Sequence, residues 1–160
     1  MSIYDFSYRT PEGKEISLKE YEGKVLIIVN TATKCGLAGQ FTELENLYQK
    51  YENDGLVVIG FPCDQFLSQE PETNESMVNV CQINFGVTFP LTEKIEVNGK
   101  NTHPLFVYLK GHLPGALFSR SIKWNFTKFL ISRDGTPYKR YAPTHVPSNM
   151  DADVRKLLGI

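Results

Sequence analysis

The chain has 160 residues, of which 41% are hydrophobic and 22% charged, and its formal net charge is −1. This length allows one domain with a full hydrophobic core, and the composition is ordinary for a globular protein. The near-neutral charge gives no reason to expect nucleic acid as the main partner, and no apolar run reaches the ~20 residues that cross a bilayer. We therefore predict a single domain over residues 1–160, without a membrane span and without a nucleic-acid partner.

The chain contains three cysteines at wide spacing: Cys35, Cys63 and Cys81. An odd number at such spacing does not form a disulfide framework, and the first residues have no basic or apolar region of a secretory signal. A reducing, cytoplasmic setting fits this pattern best. Metal ligands normally recur at short spacing, and neither the cysteines nor the three histidines do so, which predicts no metal and no cofactor.

Hydrophobic patterning predicts the elements of the N-terminal half. Two short strands at 3–8 and 14–18 are expected to form a hairpin. The continuous apolar runs at 25–30 and 56–61 are typical of strands covered on both faces, and the spacing over about 39–52 predicts a helix between them. A strand–helix–strand unit of this length predicts a right-handed parallel crossover.

The C-terminal half continues with helices at about 73–84 and 103–110. A strand at 126–132 turns through an Asp-Gly pair into a partner strand at 138–141, and the last helix covers 149–158. Parallel strands followed by an antiparallel hairpin, with helices on both faces, predict an α/β, thioredoxin-like fold. Its central mixed sheet is flanked by helices, and the chain begins with the β-hairpin.

Cys35 stands where the first buried strand gives way to the following helix. At such a junction the positive end of the helix favours thiolate over thiol. Position 38 is Ala, so the C-x-x-C pair of a dithiol–disulfide reductase is missing. A lone thiol in this setting indicates attack on a small oxidant rather than ordinary disulfide exchange.

Two further segments contain residues that packing alone does not explain. One leaves the second buried strand and includes Gln69, and the other begins with Trp124 and Asn125 and enters the later strand. Because the carboxyl ends of parallel strands meet at one edge of a sheet, we expect these residues near Cys35. Reduction of a peroxide needs hydrogen-bond donors for the thiolate and for the leaving oxygen, and indole and amide N–H groups are such donors.

Three segments, 30–36, 61–71 and 124–129, resemble the signature motifs of the glutathione peroxidase family in its cysteine-containing form. The similarity extends through 94–99 and 139–144 and therefore covers nearly the whole chain. It implies a thioredoxin-like fold and reduction of hydrogen peroxide or of organic and lipid hydroperoxides. The family's catalytic tetrad falls on Cys35, Gln69, Trp124 and Asn125.

The connection from Lys110 to Trp124 is short, whereas tetrameric, glutathione-using relatives have a longer insertion there. Its absence resembles the monomeric branch of the family that takes electrons from thioredoxin, with glutathione as the alternative reductant. That branch commonly uses a second cysteine as the resolving residue, and the matching position here is Cys81. Cys63, which follows a proline at a strand end, is interpreted as a structural thiol.

The resolving role requires a movement. Cys81 falls in the helix predicted at 73–84, and a disulfide with Cys35 needs the two Cα atoms within ~7 Å. We therefore hypothesise that this helix unwinds locally when Cys35 is oxidised. Two other functions stay open: a redox sensor that passes oxidation to a partner protein by disulfide exchange, and a non-catalytic thioredoxin-fold scaffold. For Cys81, the alternative interpretation is a buried structural thiol that has no resolving role.

Overall fold

The computed structural model describes residues 1–160, apart from the side chain of Ala116. Its strands are β1 (Ser7–Arg9), β2 (Glu15–Ser17), β3 (Val25–Thr31), β4 (Leu56–Pro62), β5 (Lys128–Ile131) and β6 (Pro137–Tyr141). The central sheet has four strands in the order β4-β3-β5-β6. β3 and β4 are parallel, whereas β5 is antiparallel to both β3 and β6, so the predicted mixed sheet is confirmed.

The helices are α1 (Gln40–Tyr51), α2 (Asn74–Phe85), α3 (Pro104–His112) and α4 (Asp151–Leu158). All seven residues of β3 are buried, because its two faces contribute to two different apolar clusters. Val25, Ile27 and Val29 lie in the cluster that includes residues of α1, α2 and α4, and Leu26 and Ile28 lie in the cluster that includes residues of α3. The helices therefore cover both faces of the sheet, as the apolar run predicted.

Three boundaries differ from the sequence-based expectations. Residues Ile3–Asp5 form a short 3-10 helix, so the hairpin consists of the shorter strands β1 and β2. Another 3-10 turn, Pro147–Met150, precedes α4, which begins at Asp151. β5 begins at Lys128 rather than at residue 126, because Phe126 has a φ of +65°, outside the β region.

The segment that follows α2 runs along the outer edge of β4. Bridges join Gly60 to Leu91 and Cys63 to Ile95, which fixes this segment against the sheet. Gly60 permits the close approach, because a Cβ there would lie 2.7 Å from a side-chain atom of Leu91. Among the residues that the structure describes, no helix is both long and apolar enough to cross a bilayer.

Helix α2 is held mainly at its ends. Within the described chain, Met77 and Cys81 are the two residues of α2 that are buried. Thr73 caps the N-terminus by accepting the N–H of Ser76. Beyond the C-terminus the carboxylate of Glu45 accepts the N–H and hydroxyl of Thr88 at 2.7 and 2.6 Å. The helix thus has defined ends and a small buried face.

Candidate active site

Cys35 lies in a series of turns between β3 and α1, the Cys35 loop (residues 32–39). The residue is 7% exposed, and its Sγ accepts the N–H of Leu37 at 3.3 Å. Helix α1 begins only at Gln40, so the local turn, and not the first turn of the helix, supplies a donor to the sulfur. The sequence-based expectation that Cys35 follows the end of the strand is therefore confirmed, and the influence of the helix end on the thiol stays a prediction.

The loop that follows β4 contains Gln69 and is bound to the Cys35 loop by two hydrogen bonds. The N–H of Lys34 donates to the carbonyl of Gln69 at 2.9 Å, and the Thr33 hydroxyl donates to the Glu70 carboxylate at 2.5 Å. A tight turn precedes Gln69, with left-handed backbone at Leu67 and Ser68. Gln69 therefore lies beside the Cys35 loop, as the edge of a parallel sheet predicts.

Asn30 attaches the Trp124–Asn125 segment to the end of β3. Its buried side-chain amide donates to the carbonyl of Trp124 at 3.2 Å and accepts the N–H of Thr127 at 3.1 Å. The N–H of Phe126 donates to the Asn30 carbonyl at 2.7 Å. Sequence reasoning did not assign a role to Asn30, although a polar residue at the end of a continuous apolar strand was an available signal.

The side chains of Gln69 and Asn125 contact each other directly. Nδ2 of Asn125 donates to Oε1 of Gln69 at 2.9 Å, and Asn125 itself is buried. Trp124 is half-buried, packs 5.6 Å from the ring of Phe66 and borders the apolar cluster that includes Cys35. Within the described residues, the sulfur of Cys35 makes its hydrogen bond with Leu37 and none with these three side chains.

A second asparagine holds the backbone just before Trp124. Asn98 donates from Nδ2 to the carbonyl of Ile122 at 2.8 Å and accepts the Ile122 N–H on Oδ1 at 2.9 Å. Nζ of Lys110 donates to the same Oδ1 at 3.2 Å, and Arg140 donates to the carbonyl of Ser121 at 2.7 Å. Sequence analysis gave Asn98 no supporting role, because its partners Ile122 and Lys110 are distant along the chain.

Cys81 belongs to the same apolar cluster as Cys35 but is 0% exposed. Its Sγ lies 3.9 Å from Sδ of Met77, and burial, with a smaller contribution from the charge of Glu70, raises the pKa of its thiol to about 12. Burial likewise raises the pKa of Cys63, whose Sγ contacts the amide oxygen of Gln65. The described chain contains no disulfide, and all three cysteines are free.

This arrangement contains a sulfur at a residue that is 7% exposed, a hydrogen-bonded pair of side-chain amides, a half-buried indole and a second, fully buried thiol. The described residues contain no group of three or more His, Cys, Asp or Glu side chains that could hold a metal ion. The chemistry that this set of side chains can perform is attack of sulfur on an oxidant.

Comparison with known proteins supports the resemblance found in the motifs. The family model described as glutathione peroxidase matches residues 3–110. The chain is 49% identical over 158 residues to the glutathione peroxidase homolog BsaA of Bacillus subtilis, with 99% of each chain covered. It is 50% identical over 158 residues to a glutathione peroxidase of Lactococcus lactis subsp. cremoris, with 99% of this chain and 100% of the relative covered.

Comparison with solved structures gives the same family and the same fold. The crystal structure of T. cruzi GPX1 has a TM-score of 0.83 at 35% identity, covering 99% of this chain and 97% of that one. A thioredoxin-family thiol:disulfide interchange protein of Chlorobium tepidum has a TM-score of 0.66 at 19% identity, covering 96% and 93%, which confirms the thioredoxin-like fold alone. The matched family model and the relatives at about half identity over the full chain show that this protein is a peroxidase of the glutathione peroxidase family.

Proposed function

We propose that this chain is a thiol peroxidase that reduces hydrogen peroxide and organic or lipid hydroperoxides through Cys35. The observation that carries the proposal is the convergence of three chain segments at the end of β3. Asn30 holds the Trp124–Asn125 segment there, and Lys34 holds the backbone of Gln69. The Cys35 sulfur has one backbone donor, the N–H of Leu37, and the side chains of Gln69 and Asn125 are hydrogen-bonded to each other in the two segments held at this end of the sheet.

In the first step, the Cys35 thiolate attacks the terminal oxygen of the hydroperoxide. A sulfur–oxygen bond forms, the oxygen–oxygen bond breaks, and the leaving oxygen takes a proton to become water or an alcohol. Gln69, Trp124 and Asn125 are proposed to stabilise the thiolate and the leaving oxygen. One Nδ2 hydrogen of Asn125 is used by Gln69, but each amide nitrogen has two hydrogens, so donors remain for the reacting atoms.

In the second step, Cys81 resolves the sulfenic acid that forms at Cys35. The Cys81 sulfur attacks the Cys35 sulfur, a disulfide forms and water leaves. Inside the folded helix the Cys81 thiol is buried and its pKa is about 12, so it is a poor nucleophile there. We therefore propose that α2 unwinds locally before the disulfide forms, and the small buried face of this helix supports that step.

Thioredoxin is proposed as the reductant that returns the disulfide to two thiols and is itself oxidised to a disulfide. The short connection before Trp124 supports this choice, and it also supports a monomer with an open site. A single domain over residues 1–160 and a cytoplasmic location, which would keep Cys35, Cys63 and Cys81 reduced, complete the proposal.

The decisive experiment is peroxide consumption coupled to NADPH oxidation, with the thioredoxin and glutathione systems compared side by side. We expect sustained turnover with thioredoxin and thioredoxin reductase, and much slower turnover with glutathione and glutathione reductase. One slow equivalent of peroxide consumed, together with a mixed disulfide trapped on a partner protein, would favour the redox sensor instead. If the protein consumes peroxide no faster than free cysteine does, the non-catalytic thioredoxin-fold scaffold would be the remaining interpretation.

A second measurement tests the resolving residue. Mass spectrometry after one equivalent of peroxide should find Cys35 joined to Cys81. A persistent sulfenic acid in the wild-type protein, without that disulfide, would contradict the assignment of Cys81.

A further inference from the structure

A chain of hydrogen bonds runs from the Cys35 loop to the first residue of α2. The Thr33 hydroxyl donates to the Glu70 carboxylate at 2.5 Å, and Nζ of Lys94 donates to the Glu70 carbonyl at 2.8 Å. The backbone N–H of Lys94 then donates to Oδ1 of Asn74 at 2.9 Å. Glu70 thus lies between the loop that carries one cysteine and the helix that carries another.

The environment of Glu70 is unfavourable for a purely structural carboxylate. The residue is 0% exposed, and among the described residues its Oε1 has no hydrogen-bond partner. Burial raises the pKa of Glu70, although the bonds from Thr33 and the charge of Lys94 act in the opposite direction. An ionised Glu70 therefore lowers the stability of the folded state at neutral pH, and a neutral side chain of the same shape would be less costly.

The two ends of the hydrogen-bond chain differ in rigidity. Lys94 lies on the segment that is fixed along the edge of β4 by the bridges of Leu91 to Gly60 and of Ile95 to Cys63. Helix α2, by contrast, buries only Met77 and Cys81 among its described residues. The hydrogen-bond chain therefore connects the Cys35 loop, through Glu70 and Lys94, to a helix whose described residues include only two that are buried.

We propose that Glu70 is a positioning residue that couples the Cys35 loop to α2, keeping the helix folded over Cys81 while Cys35 is reduced. This inference rests on the proposed resolving role of Cys81. An oxygen atom added to the nearly buried Cys35 sulfur needs space that the loop must yield, and a shift of the loop withdraws Thr33 from Glu70. The first turn of α2 then loses its support, the helix opens, and the disulfide forms with release of water.

The test uses Thr33→Val, which removes the hydroxyl that donates to Glu70. Its matched control is Thr31→Val, because Thr31 is also buried but its hydroxyl has no partner among the described residues. Thr33→Ser keeps the hydroxyl and should restore wild-type behaviour. Stopped-flow emission of Trp124, the one tryptophan of the chain, separates the fast peroxide step from disulfide formation.

For Thr33→Val we expect amide exchange of residues 74–84 in the reduced protein, and the rate of disulfide formation, to rise about tenfold, the effect of losing one bond to a charged group. The peroxide step should stay within about twofold, since the hydrogen bond from Leu37 to Cys35 is unchanged. Thr31→Val should match the wild type in all three measurements.

Lys94→Met tests the other end of the chain, with the exposed Lys100→Met as its control. Lys94→Met should raise amide exchange of residues 74–84 and the rate of disulfide formation as Thr33→Val does. If Thr33→Val fails to fold, Lys94→Met provides the test of the inference. In the double variant the two effects should not add, because both variants break one connection. The inference is wrong if each variant matches its control, or if the two effects add fully. Absence of a Cys35–Cys81 disulfide in the wild type would instead overturn the proposed resolving role of Cys81, on which this inference rests.

Discussion

Cys35 and Cys81 lie in one apolar cluster, yet they differ in backbone conformation, in exposure and in the contacts of their sulfur atoms. Cys35 lies in a turn, is slightly exposed and accepts a hydrogen bond from the N–H of Leu37. Cys81 lies within a helix, is fully buried, and has its sulfur beside that of Met77. Under the proposed function, these two settings belong to the attacking thiol and to the resolving thiol, respectively.

The backbone explains much of the difference. In a turn, some N–H groups have no partner in regular secondary structure and can point at a nearby side chain, as the N–H of Leu37 does. Inside a helix, each N–H is used by a carbonyl four residues earlier, so none is available to the sulfur of Cys81. Desolvation without compensating donors then raises the pKa of that thiol to about 12.

The largest expected effect on peroxide consumption comes from removing the thiol of Cys35, the proposed nucleophile. Cys35→Ser should lower peroxide consumption in the thioredoxin-coupled assay by at least about 1000-fold, because a serine hydroxyl is not ionised at neutral pH. Cys63→Ser is the matched control, since its sulfur is buried beside Gln65, and it should keep wild-type turnover. Activity that survives Cys35→Ser would assign the chemistry to another residue.

Removing the thiol of Cys81, the proposed resolving residue, should lower the rate of steady-state turnover and leave the reaction with the first equivalent of peroxide unchanged. Cys81→Ser is expected to lower thioredoxin-driven turnover by about 100-fold. Without a resolving thiol in the same chain, the sulfenic acid can react only with a thiol of another molecule, which is slower. The rate constant for the first equivalent of peroxide should stay at the wild-type value. The sulfenic acid should then be trapped by dimedone and detected by mass spectrometry. Full turnover in this variant would remove Cys81 from the mechanism.

The hydrogen-bonded pair of Asn125 and Gln69 can be tested by a nearly isosteric change. Asn125→Asp loses the donor to Gln69 and places a carboxylate where an amide is now buried. We expect the second-order rate constant for hydrogen peroxide to fall by about 30-fold, from a lost donor and an added negative charge near the thiolate. The exposed Asn101→Asp is the control for the added charge alone. Equal rates in both variants would show that Asn125 acts only in packing.

The smallest effect concerns Glu70, which lies between the two cysteine environments. Its pKa is raised by burial from an ordinary value of 4.5, so the folded state keeps a proton that the unfolded chain has already released. Wild-type stability should therefore fall relative to Glu70→Gln as the pH rises above about 4.5, by at most about 1.4 kcal/mol per pH unit. Urea unfolding at several pH values measures this difference.

The exposed Glu12→Gln is the matched control and should run parallel to the wild type at every pH. A Glu70→Gln curve that also runs parallel would mean that Glu70 does not lower stability when it ionises. The argument for a role of this carboxylate beyond packing would then fail.

Particular elements show where sequence-based prediction succeeded. The apolar runs predicted β3 and β4 closely, because strands covered on both faces have few alternatives for such sequences. The start of β5 was misplaced, because Phe126 is typical of strands in sequence, whereas in the structure it has a positive φ and its N–H donates to the carbonyl of Asn30. The candidate site shows the same division. Motifs indicated Cys35, Gln69, Trp124 and Asn125, and the supporting residues Asn30, Glu70 and Asn98 were missed.

The sequence by itself determined the layered fold, the family and the residue types that the proposed chemistry requires, since periodicity and local motifs are properties of neighbouring residues. Only the tertiary structure decided what surrounds each sulfur: the N–H of Leu37 beside Cys35, and the closed apolar packing around Cys81. It also decided that Thr33, Glu70 and Lys94 connect the two regions. These contacts join residues that are distant along the chain, and reactivity depends on distances and burial that arise only when the segments pack.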